Sequence, residues 1–193
     1  MSVSQPTLIF YVQRFIFVST KSNIYLVGPM GAGKTTVGRR LAEARGMDFV
    51  DSDHEVEART GVNVAFIFEK EGEAGFRKRE HAAIADLTLR ANLVLATGGG
   101  AVVDVESRKL LAARGFVVYL HASVDHQLAR TERTDNRPLL QGGDRRDTLQ
   151  RLFLIRDPLY REIADLVVHT DGRNARTLAR EIEDHLARPA TAP

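Results

Sequence analysis

The stretch "GPMGAGKT" at 28–35 constrains this chain more than any other. It fits the pattern G-x-x-x-x-G-K-[ST], follows the short apolar run "IYLV" (24–27), and opens a stretch of helical spacing marked by Val37, Leu41 and Ala44. Strand, glycine-rich turn and helix, in that order, form the context in which the pattern carries chemistry. Glycines let the backbone curl so that successive N–H groups point at phosphate oxygens, and the helix N-terminus adds the positive end of its dipole. Lys34 then reaches the β- and γ-phosphates, and the Thr35 hydroxyl serves a Mg²⁺ ion. Gly31, Ala32, Gly33, Lys34 and Thr35 are therefore candidate nucleotide contacts. Thr36 is kept beside them, although it continues the helix and suits packing or capping better. By itself the motif specifies only nucleoside triphosphate and Mg²⁺.

Four further runs read as strands: "DFV" (48–50), "LVLA" (93–96), "FVVYL" (116–120) and "LVVH" (166–169). They are nearly unbroken Val, Leu, Ile and aromatics, as expected of parallel strands covered on both faces. Helical spacing fills the gaps, with Ile84, Leu87 and Leu89 late in a long polar stretch and Leu178, Ile182 and Leu186 at steps of four near the end. The alternation predicts an α/β, three-layer sandwich with right-handed crossovers around a central five-stranded parallel sheet. A length of 193 residues suits one domain, and 44% hydrophobic with 27% charged residues excludes a disordered chain. A net charge of +2 gives no ground for a nucleic-acid partner. The lack of cysteine excludes disulfides, thiolate metal sites and a thiol nucleophile, and agrees with a cytoplasmic setting. The six histidines show no metal-ligand spacing.

At the start, "LIFYVQRFIFV" (8–18) is shorter than the roughly 20 apolar residues of a membrane span and carries Arg14 in its middle. The opening "MSVSQPT" lacks the basic start of a signal peptide. Residues 1–22 are therefore read as an N-terminal extension, 23–187 as the working domain, and 188–193 as a frayed tail. The polar, basic segment "TERTDNRPLLQGGDRRDT" (131–148) reads as a mobile loop.

Many chains with this phosphate loop place a metal-steadying aspartate after a second apolar strand. Here "LVLA" runs into "TGGG" (97–100) with no acid, so the role falls to Asp51, in "FVDSDHE" (49–55). Residues i and i+2 of an extended segment face one side. Asp51 and Asp53 would then both point at the phosphate loop, one towards the metal and one towards an acceptor hydroxyl. The alternative makes Asp53 the N-cap of a helix starting at His54; from these residues alone the two stand level.

With these motifs in order, the chain resembles the shikimate kinases. The resemblance runs from about Asn23 to Leu186 and rests on "GPMGAGKTTVGRRLA", "DSD", "GEAGFRKRE", "TGGG", "RPLL" and "RDPLY". It implies a P-loop fold like that of the nucleoside monophosphate kinases. It also implies ATP-dependent phosphorylation of the 3-hydroxyl of shikimate, on the path to chorismate and the aromatic amino acids. By resemblance, Asp51 joins Thr35 at the hydrated Mg²⁺, and Asp53 bonds the ring hydroxyls, including the one phosphorylated. Arg77 and Arg156 match arginines that clamp the substrate carboxylate, for which paired guanidinium forks are suited. Glu80 matches an acid that steadies one of them. Gly98, Gly99 and Gly100 match a loop whose backbone approaches the ring, and Phe68 and Phe76 match apolar walls.

The basic loop takes on the role of a lid, about 131–148, in which Arg137 reaches the transferring phosphate. Arg130 matches an arginine that stacks on adenine. The acceptor segment spans about 51–80. Lys34, Asp53 and Arg137 form the expected catalytic set, in a monomer acting on shikimate and ATP without nucleic-acid or membrane partners. Two other functions fit parts of the pattern. A kinase of another small hydroxy acid, such as gluconate, shares the architecture, but the paired aspartates and the two separated arginines favour shikimate. A non-catalytic ATP-binding module predicts loss of Lys34, Asp53 or Arg137, and all three are present.

Overall fold

The computed structural model describes residues 22–131, 139 and 144–188. The N-terminal extension up to residue 21, the tail from 189, and Arg137 lie outside the described residues. The chain order is β1 (Ile24–Val27), α1 (Lys34–Arg45), β2 (Asp48–Asp51), α2 (Ser52–Thr60), α3 (Val64–Leu87), β3 (Leu93–Ala96), a 3-10 turn (Ala101–Val103), α4 (Val105–Arg114), β4 (Phe116–His121), α5 (Val124–Thr131), α6 (Arg145–Ile163), β5 (Leu166–His169) and α7 (Ala175–Ala187). The strands form one sheet in the order β2-β3-β1-β4-β5, and every neighbouring pair is parallel. The five expected strands and the layered α/β architecture are all present.

Two apolar clusters explain why the strand sequences are apolar throughout. Alternate residues point to opposite faces of a sheet. Leu26, Val94, Val118, Leu120 and Val168 meet Val37, Leu41, Leu178 and Ile182 on the α1 and α7 side. Tyr25, Val27, Leu95, Val117 and Tyr119 meet Ile84 and Leu87 of α3, Leu111 of α4 and Tyr160 of α6 on the other. A third, small cluster of Val56, Ile67, Phe76 and Ala83 joins α2 to α3. The α2–α3 pair thus packs on a core of its own.

The buried amide of Asn23 fixes the start of β1: Nδ2 donates to the Arg90 carbonyl at 2.6 Å, and Oδ1 accepts from Leu93 N at 2.9 Å. That pairing sets β1 against β3, with Leu26 opposite Ala96. Thr97 extends the match, its N and Oγ1 both donating to the Leu26 carbonyl. The phosphate loop and the glycine loop after β3 therefore leave the sheet side by side.

Three local expectations change. Residues 43–45 at the end of α1 are exposed, so Ala44 faces solvent and Ala42 packs in its place. Leu89 lies beyond the end of α3 and is 72% exposed. Residues 145–148, read from sequence as loop, form the first turn of α6, where the Asp144 side chain accepts from the amides of Arg146 and Asp147. Pro158 does not end α6, which runs on to Ile163 and so holds Arg156 in mid-helix. The carbonyl that Pro158 leaves without its helical partner belongs to Leu154, which is exposed. Among the described residues, no helix is long and apolar enough to cross a membrane.

Leu95 is fully buried in the central layer. Leu95→Ala should lower stability by about 2–5 kcal/mol in urea unfolding. A loss under about 1 kcal/mol would mean that the site collapses around the missing methyls.

Candidate active site

The phosphate loop starts where β1 ends. Gly28 has φ 141, and a Cβ there would come within 2.4 Å of the Leu120 carbonyl oxygen. Only glycine lets the chain turn so close against β4. The turn leads into α1, whose N-cap is Gly33, with no side-chain cap and no acid in the first turn. Asp or Asn side chains cap α2, α3, α4, α6 and α7. The bare N-terminus of α1 is thus left for an external anion. Lys34 Nζ donates to the carbonyls of Gly28 at 2.7 Å and Pro29 at 2.8 Å, which holds its charge over the same loop.

Asp51 settles the pair of alternatives left by the sequence. It ends β2 and is itself the N-cap of α2, its Oδ1 accepting from Asp53 N at 3.1 Å. Its other oxygen accepts from Thr35 Oγ1 at 2.8 Å. The cap is therefore Asp51, not Asp53, and the helix starts at Ser52 instead of His54. Asp53 lies in the first helical turn, not in an extended segment. Both carboxylates still line the cleft, because the strand-to-helix corner turns Asp53 inward.

That cleft, of about 650 Å³, lies along the carboxyl edge of the sheet. Its walls bring together Gly31, Ala32, Gly33, Lys34, Thr35, Thr36, Asp51, Asp53, Phe68, Phe76, Arg77, Gly98, Gly99, Gly100, Arg130 and Arg156. Glu80 lies just beneath, 1% exposed. Every candidate from the sequence is in or under this one cleft except Arg137, which is outside the described residues. Arg130 runs along the phosphate loop and donates to the Gly31 carbonyl at 3.3 Å. The rings of Phe68 and Phe76 are 4.9 Å apart.

The glycine loop is a floor without side chains. A Cβ on Gly98 would sit 2.2 Å from Glu80 Oε1 and 2.6 Å from Asp53 Oδ1, and one on Gly100 would sit 2.0 Å from Arg77 Nη2. The loop is held from both sides. Ser52, fully buried, accepts from Gly98 N at 2.8 Å, while Tyr160 and Arg156 donate to the Gly99 carbonyl. Sequence reasoning passed over Ser52 and Tyr160, although both stand inside the quoted motifs, as the middle of "DSD" and the end of "RDPLY". It also passed over Ala175 and Leu178, which close the cleft beyond the phosphate loop, and His54, Glu57 and Val64 at the α2–α3 end.

Two arginines converge at the acceptor end. Arg77 Nη1 pairs with Glu80 Oε2, and its Nη2 pairs with Glu73 Oε1 at 2.9 Å. Arg156, its side chain 7% exposed, brings Nη2 to 3.9 Å from that same Glu73 oxygen. Burial works against the Arg77 charge, but Glu80 and Glu73 outweigh it and raise its pKa. Burial also lowers the pKa of Arg156, and Arg77 adds to that effect, while Tyr160, Glu73 and Glu80 pull the other way. Glu80 is pushed up to about 7 by burial, against Arg77 and with help from the Asp53 charge.

This arrangement defines a class: a P-loop kinase that holds nucleotide phosphates at one end of a cleft and a small acceptor at the other. The comparisons go further. The chain matches the shikimate kinase family over residues 30–187. It is 59% identical over 162 residues to a shikimate kinase of Methylococcus capsulatus, covering 84% of this chain and 90% of that protein. A shikimate kinase of Halorhodospira halophila is 58% identical over 167 residues, with 86% and 94% covered. Among solved structures, the shikimate kinase of Acinetobacter baumannii in complex with shikimate superposes with a TM-score of 0.87 at 53% identity, covering 90% of this chain and 97% of that one. The chain belongs to the shikimate kinase family.

Glu80 binds its proton more tightly in the folded protein, at about 7, than at its ordinary value of 4.5. Its contribution is therefore most favourable below about pH 4.5 and is lost as pH rises towards about 7. In thermal melts between about pH 5 and pH 7, the native chain should lose more stability than Glu80→Gln. Equal slopes would place the titration elsewhere.

Proposed function

We propose that this protein transfers the γ-phosphoryl group of ATP to the 3-hydroxyl of shikimate, giving ADP and shikimate 3-phosphate. The observation that carries this is the convergence of Arg77 and Arg156 on one carboxylate oxygen, that of Glu73, at 2.9 Å and 3.9 Å. Two guanidiniums that meet at one acid oxygen suit the carboxylate of a small ring acid. The kinship with a protein solved in complex with shikimate names that acid.

The phosphate end follows from the loop. Backbone amides at the bare start of α1 and the Lys34 ammonium hold the β- and γ-phosphates, while Arg130, Ala175 and Leu178 wall in the base. Thr35 Oγ1 and Asp51 Oδ2, 2.8 Å apart, are hard oxygen ligands suited to Mg²⁺. A hydrated Mg²⁺ held there would keep water and phosphate oxygens among its ligands, as that ion prefers. When bound, the ion neutralises charge on the phosphates.

At the acceptor end, Asp53 orients the hydroxyl and takes its proton as the new P–O bond forms and the bond to the β-phosphate oxygen breaks. Gly98, Gly99 and Gly100 let the ring lie against backbone, and Phe68 and Phe76 cover its apolar edge. Glu80 holds Arg77 in position. By the resemblance, the segment between α5 and α6 would act as the lid, with Arg137 serving the transferring phosphate, and its closure would exclude water that otherwise hydrolyses ATP. The acting unit in this reading is a monomer. A cytoplasmic setting completes the reading.

Lys34→Ala and Asp53→Asn should each lower kcat by about 100-fold or more with the fold retained. Near-normal turnover in Asp53→Asn would remove it from the proton path. Arg77→Ala should raise KM for shikimate by about 10-fold or more, as loss of a charged hydrogen bond does. ADP release should require shikimate and fail with gluconate; ADP formed equally without an acceptor would overturn the proposed activity.

A further inference from the structure

We propose that Glu73 is an internal stand-in for the acceptor's carboxylate, which the incoming acid must displace from between Arg77 and Arg156. The inference rests on the assignment of those arginines to the acid and adds a third residue that sets how tightly the acid is held. Glu73 Oε1 accepts from both Nε and Nη2 of Arg77, at 3.3 Å and 2.9 Å. This is the edge of the guanidinium with which an acid would make a forked pair. Arg77 Nη1 is already taken by Glu80, and Arg156 Nη1 by the Gly99 carbonyl. The cationic faces that remain towards the cleft therefore meet at Glu73 Oε1. The two arginines lie beside the glycine floor and Asp53, whereas Glu73 comes from the outer rim, its side chain 46% exposed.

The chain is built so that Glu73 can leave. It follows Gly72, the one residue within α3 with non-helical dihedrals, at φ 68 and ψ −177. A Cβ on Gly72 would meet nothing within 4 Å. Across the kink, Arg79 holds Glu71 at 2.7 Å, and beyond it Phe76 is buried in the small core between α2 and α3. Glu73 therefore sits at the joint, on a long side chain that reaches solvent by rotation about its own bonds.

Two effects follow. Glu73 neutralises the clamp when no acid is bound, so stray inorganic anions compete poorly for it. It also makes the acid's net affinity a difference between two carboxylates, which leaves neutral polyols without the means to displace it. The opposite possibility is that Glu73 braces Arg77 and is needed for the acid to bind.

The test compares Glu73→Gln, Glu73→Asp and the unaltered protein in direct titration with shikimate and in steady-state assays. KM for ATP serves as the internal reference. Displacement predicts that Glu73→Gln tightens shikimate binding by about 2- to 5-fold, the range of a partly exposed ion pair, and gains inhibition by sulfate. Glu73→Asp, which keeps the charge, should resemble the native protein in its sulfate response. Weaker shikimate binding in Glu73→Gln, or binding and sulfate response both unaltered, would overturn the inference. Arg77→Ala separates the two levels. If it leaves shikimate binding intact, the clamp itself is wrong; if it weakens binding while Glu73→Gln does not tighten it, only the role of Glu73 fails.

Discussion

The site depends on one constraint: a parallel sheet covered on both faces has only its strand ends left for chemistry. Tyr25, Leu26 and Val27 are fully buried, and so are the central residues of β3 and β4. A polar group within those layers needs a partner there, as the Tyr25 and Tyr119 hydroxyls find at the Arg114 carbonyl of α4 and at Asp157 of α6. The groups that line the cleft come at the strand ends or just past them. Gly28 follows β1, Asp51 ends β2, and Thr97 and the three glycines follow β3. Because β3 lies between β1 and β2, the phosphate loop, the glycine floor and the aspartate corner come out in adjacent positions. A nucleotide and an acceptor can meet there without either entering the core.

Charge in the acceptor end is arranged more tightly than in the phosphate end. Arg156 and Glu80 are both buried, and neither would be tolerated alone. Arg77 lies between Glu80 and Glu73, and Arg156 is tied to the glycine loop. The ions come as a set, so removing one leaves the others buried without compensation. The phosphate end relies on backbone amides and one lysine, which tolerate a ligand of high charge without needing a counter-ion in the chain.

Much of this was legible in the sequence, and for definite reasons. The strands declared themselves because residues buried on both faces must be apolar at every position. The phosphate loop was legible because its glycines and lysine carry fixed spacing. Long-range polar partnerships were not. Nothing in the order of residues tells that Ser52 holds Gly98, that Tyr160 reaches the Gly99 carbonyl, or that Glu73 faces two arginines. Such contacts depend on how a corner or a kink turns, and Gly72 reads as an ordinary helical position until its dihedrals are known. Arg156 was legible as a clamp arginine, but not its place in mid-helix, because proline usually stops a helix. The corner after β2 was misread for a related reason. An aspartate that ends a strand can also begin a helix, and alternation says nothing about which comes first.

Asp51 has a consequence for how such a protein can change. One of its oxygens meets Thr35 and the other meets the amide of Asp53. A single carboxylate thereby acts as a ruler between donor and acceptor, its length set by covalent bonds. Lengthening or shortening the corner by one residue would spoil both ends at once. Descendants that take up a different acceptor must therefore leave this corner alone and vary the far wall, where α2 and α3 rest on a small core apart from the sheet.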